Sequence, residues 1–135
     1  MNVKVLLESH RTLKEKIKVT LREIEQLREL ADKVLTAENA GSIADKTLEI
    51  DDRLNKQYTE YLKRQETISL IVDSLDNEQE LIVLKCCYIL HFTADQTAAE
   101  TNYSTRHVRR LLKSGLETLQ AKYNDVDISD IERSK

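Results

Sequence analysis

The stretch FTADQTAAETNYSTRHVRRLLKSGLETLQAKY, Phe92 to Tyr123, decides how this chain is read. It reads as two helices with a tight turn between them. Thr93 stands as N-cap before a short helix over about residues 94 to 101, and Gln96, three residues on, gives the spacing of a capping box. Asn102 and Tyr103 break the pattern, asparagine being tolerant of left-handed backbone. Ser104 then caps a second helix expected to run to Lys122.

That second helix has two faces. Val108, Leu111, Leu112, Leu116 and Leu119 recur at helical spacing and form a stripe that must be buried. Arg106, Arg109, Arg110 and Lys113 fall on the remaining surface, with Thr105 and His107 in the first turn. A short helix, a tight turn and a longer helix with basic residues in its first turns is the helix-turn-helix plan, in which the second helix enters the DNA major groove. Arginine, threonine and histidine there can donate to phosphates or to base edges. The plainer reading is a core helix with a solvated basic face.

Charge segregation favours the first reading. Ser104 to Tyr123 holds five basic residues against one acidic, whereas Asp76 to Tyr103 holds one basic against five acidic. A chain of net charge −3 carries a local surplus of positive charge on one helix, which is a footprint for phosphate.

Outward from this stretch, the 135 residues hold no proline and only two glycines, with 33% charged residues, so the expected fold is all-α. The spacing predicts a long amphipathic helix over residues 3 to 38, with Leu13, Ile17, Ile24, Leu27, Ala31 and Val34 on its apolar face. A break follows at residues 38 to 42, with Ser42 as the next cap. A second long helix runs to about Ser74 through Ile50, Leu54, Tyr61, Ile68 and Ile71. Two long helices joined by a short loop predict an antiparallel hairpin. Asp76 reads as the N-cap of a densely apolar helix containing Leu81, Leu84 and Tyr88. The division expected is therefore a helical arm over 1–75, a three-helix unit over 76–123, and an acidic, fraying tail over 124–135.

Cys86 and Cys87 are adjacent on one helix and read as small buried hydrophobes. His10 and His91 have no ligand-spaced neighbours, so no metal or cofactor is expected. Phosphate loops and nucleophile elbows are missing, and the chain is expected not to be an enzyme. Without a long apolar run or a signal-peptide pattern, a membrane is not expected as a partner, and the location expected is the cytoplasm.

The string LDNEQELIVLKCCYILHFTADQTAAETNYSTRHVRRLLKSGLETL resembles the region 4 domain of sigma-70-type factors. With the long helical part before it, the chain is similar to phage late transcription activators of the ArpU and RinA kind. The resemblance implies sequence-specific binding to double-stranded DNA upstream of a phage late operon, activating packaging and structural genes. It further implies a location in the cytoplasm of a bacterial host. Host RNA polymerase and a second copy of the chain, joined through the N-terminal helices, are carried as further candidate partners, and the sequence leaves the oligomeric state open. Carried over, Ser104 is the capping position, and Thr105, Arg106, Arg109 and Arg110 face bases and phosphates, flanked by His107 and Lys113. Thr93, Gln96 and Thr97 fall where the supporting helix touches the DNA backbone. Gly115 departs from the pattern by lying inside the recognition helix, for which close helix packing would be one reason. Two other readings stay open: a small-terminase-like DNA-packaging recognition subunit, and a helical adaptor that binds a protein through residues 1–75.

Overall fold

The computed structural model describes residues 1–133, and every regular element among them is a helix: α1 Val3–Val34, α2 Ala40–Asp73, α3 Glu78–Tyr88, α4 Ala94–Thr101, α5 Thr105–Tyr123 and α6 Ile128–Arg133. The fold is all-α, as composition requires. The chain divides into two compact units. One gathers Met1–Arg11 with Lys63 onward, and the other is Thr12–Leu62.

In the second unit α1 and α2 run antiparallel. Glu23 meets Arg53 at 2.8 Å, and further along Ile24, Leu27 and Ala31 share a hollow with Ile43, Thr47 and Asp51. Leu13, Ile17, Ile24 and Ile50 are buried between them. Val34, expected on the apolar face, is exposed, as are Leu30 and Leu35 near it, because two helices offer only one shared seam.

The break between these helices lies earlier than its glycine suggests. α1 ends at Val34, and Asn39 holds the turn by accepting from Thr36 N at 2.7 Å and donating to the Val34 carbonyl at 2.7 Å. Ala40, Gly41 and Ser42 already belong to α2, so Ser42 is not its cap. An asparagine side chain that satisfies the last α1 carbonyl and a turn amide leaves the glycine nothing to do.

In the first unit, Val3 and Leu7 of α1, Ile68, Ile71 and Val72 of α2, Leu84, Cys87 and Tyr88 of α3, and Leu119 of α5 form one core. A smaller cluster of Val83, Val108 and Leu111 is closed by Ala94, Ala98, Tyr103 and Leu112. Together these clusters pack α3, α4 and α5 on one another. Asn77 rather than Asp76 caps α3, its side chain accepting from Glu80 N at 3.0 Å. Residues 128–133 of the tail, expected to fray, form α6, and Ile131 packs against the larger core. That contact, with Asp127 Oδ1 accepting from Ser129 N at 3.2 Å, ties the turn down. The last two residues of the tail lie outside the described residues.

Gly115 now has its reason. A Cβ built there would lie 2.7 Å from Leu84 Cδ1 and 3.4 Å from Glu80 Cβ. The missing side chain is what lets α5 lie close on α3. Beside it Ser114 Oγ donates to the Glu80 carboxylate at 2.6 Å.

The first turns of α1 are tied to α3 and α5 by polar contacts. Gln120 accepts from Val3 N and donates to the Met1 carbonyl, both at 2.8 Å, so it satisfies a free amide of the α1 N-terminus. Arg11 donates to the Cys87 carbonyl at 3.0 Å, with its guanidinium 4.9 Å from the centre of the Tyr88 ring. The Tyr88 hydroxyl donates to Glu8 at 3.1 Å. His10, fully buried, lies with its ring 5.3 Å from that of His91, a contact across 81 residues that sequence spacing does not disclose.

Burial raises the Tyr88 and Cys87 pKa values above their ordinary 10.0 and 9.0, and the Glu8 carboxylate raises Tyr88 further. Above those ordinary values the unfolded chain releases protons that the folded chain keeps, so stability falls as pH rises through 9.0 and then 10.0. Urea denaturation at stepped alkaline pH should show this decline. Tyr88→Phe should flatten its upper part, and an unchanged slope in that variant would assign the decline elsewhere.

Candidate nucleic-acid interface

The turn between α4 and α5 is built residue by residue from local chemistry. Thr93 Oγ1 accepts from Gln96 N at 3.1 Å and Gln96 Oε1 accepts from Thr93 N at 2.8 Å, a complete capping box. Asn102 ends α4 in the left-handed region, with φ 62°, which asparagine reaches at low cost. Ser104 Oγ accepts from His107 N at 3.0 Å and starts α5. Val108, Leu111 and Leu119 are buried and fix which way the helix faces.

The opposite face presents the basic residues. Arg106, Arg109, Arg110 and Lys113 are all exposed, with Arg106 and Lys113 each three or four residues from the adjacent Arg109 and Arg110, so one side of the first three turns carries four positive charges. Among the described residues Arg106, Arg109 and Lys113 are held in no hydrogen bond or ion pair. Arg110 is held, its guanidinium 2.6 Å from His107 Nδ1. A guanidinium can only donate, so Nδ1 accepts and the ring proton sits on Nε2. The His107 ring also meets Tyr103 edge-on at 5.2 Å, which fixes its plane. His107 thus positions Arg110.

Thr105 is half-buried, and its hydroxyl donates to Asp95 Oδ1 at 3.1 Å. Thr93 and Gln96 are exposed, though each already serves the other in the capping box. Thr97 does not belong with them. It is fully buried, donates to the Thr93 carbonyl at 2.9 Å and lies 3.5 Å from Cys87 Sγ. Its position one turn past the cap turns the side chain into the three-helix packing, where no phosphate can reach it. The expectation of a backbone contact by Thr97 is corrected on that ground.

The structure therefore brings Ser104, Thr105, Arg106, His107, Arg109, Arg110 and Lys113 together on one helix, with Thr93 and Gln96 at the start of α4. Two residues escaped the sequence reading: Asp95, which meets Thr105, and Tyr103, which meets His107. The ten-residue gap from Asp95 to Thr105 crosses the turn and follows no helical period.

Cys86 and Cys87 are buried free thiols, both held above their ordinary pKa by burial first, which suppresses the reactive thiolate. Among the described residues no group of three or more His, Cys, Asp or Glu side chains could hold a metal ion, and no helix is long and apolar enough to cross a membrane. Comparison with models of known families, with curated proteins and with solved structures finds no match to the chain.

Proposed function

We propose that the chain binds double-stranded DNA sequence-specifically, with α5 in the major groove, and regulates transcription, the resemblance to phage late activators making it an activator of late genes. The observation that carries this reading is the exposed row Arg106, Arg109, Arg110 and Lys113 on a capped helix whose other face is buried. The short α4 and the Asn102–Ser104 turn before α5 follow the order of elements in the helix-turn-helix plan, which supports this reading. We further propose assembly of two chains through the Thr12–Leu62 unit, in which Leu30, Leu48 and Leu62 are exposed. A packaging recognition subunit would use the same helix but needs a ring of more than two copies.

The test is a titration of genomic fragments, including DNA upstream of the gene's own operon, at two salt concentrations, with sedimentation velocity on the complex. Binding to selected fragments should weaken steeply with salt, with a log–log slope of about −0.9 for each phosphate neutralised. Two chains per duplex are expected. A larger ring would favour the packaging role, and binding to no fragment at either salt would remove the DNA reading.

A further inference from the structure

We infer that Asp95 is a specificity-determining residue of the DNA interface: it penalises phosphate at the start of α4 and is satisfied only by a base amino group. The inference rests on the reading of α5 as the recognition helix. Asp95 is the second residue of α4, in the first turn, where the free amides and the helix dipole would otherwise draw a backbone phosphate. Its own exposed carboxylate sets a negative charge in that turn. Oδ1 accepts from Thr105 Oγ1 at 3.1 Å, so the group is aimed across the turn at the first residue of α5 rather than free in solvent.

The consequence follows from the chemistry of the groups. A carboxylate accepts hydrogen bonds and cannot donate, so it repels a phosphate and has no use for a base carbonyl or ring nitrogen. Oδ2 has no acceptor role among the described residues. It can accept from the exocyclic amine of cytosine or adenine, the donors displayed in the major groove. Beside it, the Thr105 hydroxyl has its proton committed to Asp95, which leaves the threonine methyl and an acceptor lone pair for the groove. Asp95 and Thr105 thus form one recognition element, with the basic row supplying attraction and the carboxylate supplying discrimination.

The experiment compares wild type, Asp95→Asn and Thr105→Val on random-sequence duplex and on a duplex selected from a random library by the wild type. Asparagine keeps an oxygen for Thr105 and removes the charge. Asp95→Asn should bind random duplex about three- to tenfold more tightly at low salt, the size expected for one charge several ångströms from phosphate in a high-dielectric setting. The gain should fade as salt rises, and the ratio of selected to random affinity should shrink. Thr105→Val, which releases the carboxylate, should shrink the same ratio without the gain on random duplex. Asp95→Asn with unchanged affinity for random duplex, or with an unchanged ratio while wild type binds selectively, overturns the inference alone. Wild type that selects no duplex from the library overturns both the inference and the reading beneath it. Circular dichroism of each variant confirms that α4 and α5 remain helical.

Discussion

Arg109→Ala/Arg110→Ala is expected to remove sequence-selective DNA binding and to leave the fold intact. Both side chains are exposed, and neither touches the buried face formed by Val108, Leu111 and Leu119, so the stability change stays within about 0.5 kcal/mol. A bidentate arginine–guanine pair discriminates by about 1–3 kcal/mol, so the pair of substitutions removes roughly tenfold or more for each arginine that reads a base. The two arginines differ in kind. Arg110 is held by His107 and loses a fixed geometry, whereas Arg109 has no such tether among the described residues. His107→Ala should therefore weaken binding through Arg110 alone, and adding it to Arg110→Ala should cost nothing further. Fluorescence anisotropy with a labelled duplex, together with thermal melts, reads both effects. Selective binding retained by the folded double variant would contradict the assignment of α5.

Leu84→Ala should be the most destabilising of the single substitutions considered, at about 2–5 kcal/mol, since the residue is fully buried in the core shared by α1, α2, α3 and α5. Gly115→Ala alone works in the opposite sense on the same space. Its new methyl meets Leu84 Cδ1 at 2.7 Å, an overpacking cost of about 1–3 kcal/mol set against about 1 kcal/mol gained in helix propensity. In the double variant the Gly115→Ala methyl enters the space that Leu84 vacates. The cycle of two singles and one double should then show a favourable coupling of about 0.5–3 kcal/mol by urea denaturation. Strict additivity would mean that α5 does not lie on α3 as described.

What the sequence discloses follows from how local each feature is. The caps Thr93 and Ser104, the turn at Asn102 and the buried row of α5 are set within a few residues, and each is legible from residue type and spacing. The α1–α2 turn shows where local reasoning goes astray: Gly41 is the stronger helix breaker by type, but Asn39 satisfies the helix end with its side chain and the glycine is absorbed into α2. Burial of Thr97 and exposure of Leu30 depend on which elements pack together, which periodicity within one helix does not encode. The same holds for the candidate site. Its basic residues are visible as a charge cluster on one helix, whereas Asp95 against Thr105 and Tyr103 against His107 arise from the turn geometry. The reason for Gly115 is legible only once Leu84 is placed opposite it.

The most direct test of the central claim is a map of backbone amide chemical shifts as a selected DNA duplex is titrated into the isotope-labelled protein. The perturbed amides should cluster from Ser104 to Lys113, with a second, smaller group at residues 93 to 96. Perturbations centred on Thr12–Leu62, or none at saturating duplex, would contradict it.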